Sequence, residues 1–254
     1  MKKWMKSLLI AAGILGAAGS VMVGTACAAG NFRETEEIAG PEEVFSYSVE
    51  AQGIRSLELD WVAGNVIIEP YEGEEILLEE RGCGSAPEKY RLHWELDGDS
   101  LEIQFYKNGF RFGLRDKRAK DLRIRIPAEL AGNLEELEIQ DVSSRIHLAD
   151  LTVRELSYET VSGSLKGLAL NAEEVELESV SGSVQCQLTA CPGELSVETV
   201  SGDAEIMLPR ESTFRTDLKT VSGKIQSEFP HTEAAGPEFK MHSVSGDLII
   251  RSAE

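Results

Sequence analysis

From Phe45 onward, apolar residues recur at every second position in short runs broken by Gly, Ser, Asn and Asp. That period belongs to strands whose two faces meet different surroundings, and not to helices. The runs are tied to a recurring tetrapeptide, Val-Ser-Gly-X. It stands at Val161-Ser162-Gly163-Ser164, Val180-Ser181-Gly182-Ser183, Val200-Ser201-Gly202-Asp203, Val221-Ser222-Gly223-Lys224 and Val244-Ser245-Gly246-Asp247. A degenerate copy, Val142-Ser143-Ser144-Arg145, precedes them, and the valine-to-valine steps are 19, 19, 20, 21 and 23 residues. A period near 20 predicts a solenoid, in which each coil buries its apolar face only against its neighbours.

Aligning the copies on valine separates core from surface. Five residues before it stand Leu137, Leu156, Val175, Leu195, Thr216 and Phe239; three before it stand Ile139, Tyr158, Leu177, Val197, Leu218 and Met241. Four after it come Ile146, Leu165, Val184, Ala204, Ile225 and Leu248; six after it come Leu148, Gly167, Cys186, Ile206, Ser227 and Ile250. Each coil therefore reads as a strand, a tight corner at Ser-Gly and a second strand, followed by a variable loop. The corner calls for glycine because it needs either positive φ or a close backbone approach. Just before each valine lies Asp141, Thr160, Ser179, Thr199, Thr220 or Ser243, which predicts a ladder of small polar groups, mostly hydroxyls. The repeated serines have no base beside them, so they read as turn residues and not nucleophiles.

An earlier copy is hidden upstream. Val62-Ala63-Gly64-Asn65 carries Leu57 and Leu59 before it and Val66 and Ile68 after it, in the same register. Between it and the degenerate copy lie further strand-like runs at Glu75–Glu80, Tyr90–Leu96, Leu101–Tyr106 and Leu122–Ile126. Asp97-Gly98 and Asn108-Gly109 are hairpin signals between them. These strands are expected to open the solenoid and cover its first coil.

The opening Ile54-Arg55-Ser56-Leu57-Glu58-Leu59, the Gly64-Asn65-Val66-Ile67-Ile68 that follows, Leu122-Arg123-Ile124-Arg125-Ile126-Pro127 and the tandem Val-Ser-Gly coils resemble the bacterial putative-adhesin β-solenoid family. The resemblance runs from about Val44 to Ile250. It implies a membrane-anchored or secreted surface protein without an established catalytic activity, although fold likeness by itself supplies no function.

The first residues, Met1-Lys2-Lys3-Trp4-Met5-Lys6, precede an uncharged stretch from Ser7 to Gly30. A basic start followed by a long apolar run directs a chain out of the cytoplasm. Three fates fit. The stretch is long enough to stay as a spanning anchor; Ala26-Cys27-Ala28 offers a signal-peptidase site; and Cys27 is placed to be a lipoprotein cysteine, with Gly24 where that signal carries a branched aliphatic residue. The predicted organisation is an export or anchor helix at 1–30, an acidic tether at 31–43 and one all-β solenoid at 44–254, its tandem coils spanning about 134–252.

A formal charge of −19 excludes nucleic acid as the expected partner. The charge is also patterned. Glu136, Glu155, Glu174 and Glu194 occupy the column six before valine, and Glu159, Glu178 and Glu198 the column two before it. These are expected to stack as outward ladders, either as a solvated face or with a bridging divalent cation. Against this, Lys107, Arg111, Arg115, Lys117, Arg118, Lys120, Arg123 and Arg125 crowd one stretch, interleaved with Phe105, Tyr106, Phe110 and Phe112. Such a stretch either meets an anionic surface polymer or pairs with the protein's own carboxylates.

Cys186 falls in an inward column, Cys191 follows in a loop close enough for a local bridge, and Cys83 has no evident partner. His93, His147, His231 and His242 are scattered, and no zinc or phosphate-cradling motif occurs. No catalytic, cofactor or metal-ligating residue is assigned. The expected role is a non-catalytic module at the cell surface, an adhesin or an envelope scaffold or sensor. Its partners are an envelope protein or an anionic polymer, with membrane contact through the N-terminal segment. The alternative is a carbohydrate-active β-helix enzyme using paired carboxylates on neighbouring coils.

Overall fold

The computed structural model describes residues 44–82, 90–107, 119–230 and 236–253. The N-terminal helix expected at 1–30, the tether at 31–43, Cys83, Asn108-Gly109 and His231 lie outside the described residues.

In chain order the strands are β1 (Phe45–Glu50), β2 (Ser56–Tyr71), β3 (Glu75–Arg81), β4 (His93–Asp97), β5 (Ser100–Gln104) and β6 (Asp121–Pro127). A single helical turn, α1 (Ala128–Ala131), leads into β7 (Leu134–Ala149), β8 (Thr152–Thr160) and β9 (Ser164–Ser179). The later coils contribute β10 (Val184–Leu188), β11 (Glu194–Thr199), β12 (Ala204–Leu208), β13 (Arg215–Thr220), β14 (Ile225–Ser227), β15 (Glu238–Ser243) and β16 (Leu248–Ser252).

Segments before the corner stack in parallel as a front face, in the order β5, β2, β7, β8, β9, β11, β15, β13. Segments after it stack as a back face, in the order β6, β2, β7, β9, β10, β12, β16, β14. The strands β2 and β7 run through their corners, and β9 contributes to two successive coils, so all three belong to both faces. The inward columns of both faces form one core, with Leu137, Ile139, Leu156, Val197, Ile206 and Ile250 among its buried members.

The hidden upstream copy takes its expected place. Ser56 pairs with Glu136 and Ile68 with Leu148, so β2 lies directly on β7 although 80 residues of sequence separate the partners. The intervening strands do more than cover this coil. Ser100 pairs with Ser56 and Leu122 with Val66, so β5 and β6 build a further coil outside it. Beyond them β4 pairs antiparallel with β5, β3 with β6, and β1 with β3, which closes this end.

At the other end, spatial order departs from chain order. The last coil, at Val244, inserts directly against the Val200 coil, and the Val221 coil is pushed outermost. Side-chain chemistry accounts for the exchange. Phe239, Met241, Leu248 and Ile250 are fully buried, whereas Ile225 is 44% exposed and Ser227 is open to solvent. Phe214 stacks on Phe239 with ring centroids 4.3 Å apart and seals the bend.

Candidate functional site

The corners share one hydrogen-bonding pattern from coil to coil. Each Ser-Gly amide run is held by the group just before valine: Thr160 Oγ1 accepts from Gly163 N at 2.8 Å, and Thr199 Oγ1 from Gly202 N at 2.8 Å. In the degenerate coil Asp141 plays this part, accepting from Ser144 N, and burial raises its pKa. The exposed serines donate to the valine carbonyl of the coil beneath, as Ser162 does to Val142 (3.1 Å) and Ser201 to Val180 (3.2 Å). These bonds tie each corner to the one beneath it, the turn role expected for such serines.

The glycine has one of its two expected reasons and not the other. Positive φ is absent at the Val-Ser-Gly corners. At Gly182 an added Cβ would lie 1.5 Å from the carbonyl oxygen of Gly163 in the neighbouring coil. Close backbone approach between coils therefore selects glycine here. Gly64 differs, combining φ +122° with a Cβ position 2.1 Å from the Lys120 carbonyl oxygen.

The basic stretch is only partly a surface. Lys120 is 1% exposed, with Nζ 2.6 Å from the fully buried Glu80 carboxylate. It also donates to the carbonyls of Phe105 and Tyr90, and its ammonium lies 4.0 Å from the Phe105 ring centroid. Trp61 Nε1 donates to the Lys120 carbonyl at 3.0 Å, and Glu80 accepts from Leu92 N. Arg123 pairs with Glu69 at 2.9 Å and Arg125 with Glu79 at 2.6 Å. These three cations thus pair with the protein's own carboxylates at the closed end. Arg111, Arg115, Lys117, Arg118, Phe110 and Phe112 lie outside the described residues.

The acidic ladders are present and broader than the two predicted columns. The outward positions of six consecutive front strands, β5 to β11, carry Glu102, Glu58, Glu138 and Glu176 in a middle column, with Asp60 joining the Glu159–Glu178–Glu198 column. The middle column shares the alternation parity of the other two, which was the signal for it in the sequence. On the front segments of these six strands the one outward Lys or Arg is Arg154 of β8, which pairs with Glu155 and lies 3.8 Å from Glu174. The next two, β15 and β13, bring Lys240, His242, Lys219 and Arg215, with Asp217 bridging Lys219 and His242.

Crowding shows in the protonation of this face. Burial, reinforced by Glu178, Glu138 and Glu176, pushes the Glu159 carboxyl up to about 7. Burial, with Glu138, Glu102 and Glu58, pushes Asp60 up to about 6. Glu176 and Glu178 shift the same way, again through burial first and neighbouring carboxylates second. Glu159 is only 8% exposed, and its Oε2 has no hydrogen-bond partner. Among the described residues no group of three His, Cys, Asp or Glu side chains is arranged to hold a metal ion.

The remaining candidates are quiet. Cys186 and Cys191 are free thiols; Cys186 fills its inward column, and burial pushes it up to about 12. A shallow cleft on the back face is lined by Asn65, Glu79, Arg81, Asp121, Arg123 and His147. Its carboxylates are engaged, Glu79 by Arg125 and Asp121 by the Asn65 amide groups. Among the described residues no helix is long and apolar enough to cross a membrane.

The Toastrack DUF4097 family matches residues 54–191, and the chain belongs to that family. No curated protein matches it. A crystal structure of a putative cell adhesion protein from Clostridium sporogenes is similar at 11% identity and TM-score 0.51, over 84% of this chain and 100% of that one. A putative adhesin from Bacteroides fragilis aligns at 12% identity and TM-score 0.37, over 83% and 97% of the two chains. A putative lipid binding protein from Parabacteroides distasonis aligns at 13% identity and TM-score 0.38, over 85% and 98%.

Proposed function

We propose that this Toastrack-family solenoid is a non-catalytic interaction module displayed outside the cytoplasmic membrane, held there by its N-terminal segment, and that it engages a protein of the cell envelope. The observation that carries the reading is the front face: six neighbouring strands turn carboxylates outward as one continuous, predominantly acidic sheet face. An extended sheet face suits contact with a macromolecule more than enclosure of a small substrate. The serine hydroxyls of five corners donate to the coil beneath, as those of Ser162, Ser181 and Ser201 do, which suits a structural part in the repeat. The adhesion descriptions of the solved structures agree with a surface role.

Expression of the full chain with a C-terminal tag in the producing bacterium tests the reading. Protease added to intact cells should remove the tag, and the purified protein should bind isolated envelopes saturably without releasing reducing ends. A tag protected in intact cells, or release of reducing ends from envelope polysaccharide, would overturn it. The second outcome would favour the carbohydrate-active alternative.

A further inference from the structure

The front face is built from like charges at strand spacing: about 4.8 Å between neighbouring rungs and about 6.8 Å between alternate residues along a strand. Carboxylates held this close repel one another, and backbone pairing prevents them from moving apart. On the front segments from β7 to β11 the one outward cation is Arg154 of β8, which reaches Glu155 and Glu174 and not the central carboxylates. Surface ladders of this kind are ordinarily relieved by full hydration. Glu159 is not. It sits at the centre of the array, nine-tenths buried, with Glu138, Glu176 and Glu178 as its electrostatic neighbours and Oε2 without a hydrogen-bond donor. A buried acceptor left unmatched is costly, and the side-chain amide of Gln140, the partner of Glu159 on the neighbouring rung, donates to Glu138 instead at 2.8 Å. The missing component is a cationic donor.

We infer that the surface centred on Glu138, Glu159, Glu176 and Glu178 is a docking site for an extended lysine- and arginine-rich polypeptide segment. This rests on the interaction-module reading and names its site and the chemistry of its partner. An extended chain presents alternate side chains at the same spacing of about 6.8 Å as the carboxylates along one strand. Its ammonium or guanidinium groups would supply the donors that Glu159 lacks. Three or more rungs of matching charge would be engaged together, so binding is multivalent and sensitive to salt. An extended sheet face also imposes no groove, which leaves room for side chains of different length. The neighbouring rungs on β15 and β13 carry Lys240, His242, Lys219 and Arg215, so the site ends where the sign of the face changes.

The experiment uses the full chain in non-ionic detergent, with decalysine as the probe. The face variant is Glu138→Gln, Glu159→Gln, Glu176→Gln and Glu178→Gln together. The control variant makes the same change in net charge at exposed carboxylates elsewhere: Glu72→Gln, Glu74→Gln, Glu129→Gln and Glu211→Gln. The wild type should bind decalysine saturably and gain thermal stability on binding, with affinity falling at least tenfold between about 50 and 300 mM salt. The face variant should bind at least tenfold more weakly, and the control within about twofold of wild type. Removing like charges should leave the face variant melting at or above the wild-type temperature, so lost binding is not lost folding. Equal weakening of both variants would mean attraction by net charge alone and would overturn the site. No binding by the wild type would overturn it as well. Either result, in a protein that is exposed on cells and binds envelopes saturably, would leave the interaction-module reading intact and remove only this face from it.

Discussion

The two ends of this solenoid leave the same physical problem and meet it differently. A stack of coils ends in strand edges and in a core that must stop somewhere. At the opening end, β5 and β6 add a coil, and β4, β3 and β1 pair antiparallel beyond them. The closure is completed from within by the buried Lys120–Glu80 pair, which ties the β3 strand to the corner of the added coil. At the far end, the outermost strands among the described residues are β13 and β14, and Val221 is 82% exposed. There the remedy is compositional: the coil with Thr216 and Ser227 in its inward columns is placed last, and the coil with Phe239 and Ile250 is tucked beneath it. The difference shows that a cap can be made either by adding covering strands or by choosing which repeat faces solvent.

Removing the internal tie should have the largest effect. Lys120→Met leaves Glu80 buried without its counterion, which costs about 3–5 kcal/mol. Urea denaturation should show that loss, and the double variant Lys120→Met with Glu80→Leu should recover a large part of it. An unchanged midpoint for the single variant would mean the closed end does not depend on the pair.

Between the ends, the stacking distance itself can be challenged. Gly182→Val puts side-chain atoms where the Gly163 carbonyl lies and should cost about 3 kcal/mol, the upper part of the range for overpacking. A variant melting like wild type would show that coils can separate freely at their corners.

The exchanged order of the last two coils has its own signature. Leu248→Ala, in a fully buried column position, should cost about 3 kcal/mol, while Ile225→Ala in the same column should cost under about 1 kcal/mol because the side chain is already half in solvent. Stacking in chain order would reverse the two values. The pair of melts therefore decides which coil is outermost.

A smaller effect separates the acidic rungs from the mixed rungs of the far end. The carboxyls of Glu159 and Asp60 are raised, Glu159 from 4.5 to about 7 and Asp60 from 3.8 to about 6. The groups facing Glu159 are Glu138, Glu176 and Glu178. The folded chain thus holds more protons than the unfolded chain across that window, so stability is highest below it and falls as pH rises through it. The expected loss between pH 5 and pH 8 is on the order of 2 kcal/mol, read as a lower Tm at pH 8. Glu159→Gln should flatten the slope. A flat pH profile in the wild type would mean the rungs are fully solvated.

Much of this was legible in the primary structure because a solenoid repeats its physics. The inward columns, the paired strands around Ser-Gly and the kinship of Val62-Ala63-Gly64 with later coils all follow from alternation and spacing. Other features were visible but easily overlooked: Thr216 and Ser227 already mark the weakest coil, and Glu58, Glu138 and Glu176 already share the parity of the predicted acidic columns. That Lys120 pairs with a carboxylate of the protein was one of the two readings of its stretch, but its burial could not be read. The lysine lies in a run of cations, and nothing local shows that Glu80, forty residues earlier, turns inward to meet it.

Sequence alone determined the all-β repeat architecture, the core columns and the acidic character of one face, because each depends on periodicity within a single coil. The tertiary structure decided what depends on contacts between coils. It selected close approach over positive φ as the reason for glycine, inserted the Val244 coil ahead of the Val221 coil, and buried one lysine of the basic stretch. It also left Glu159 without a donor at the centre of the acidic face. Those outcomes follow from which backbone lies one rung away, and chain order does not specify that neighbour.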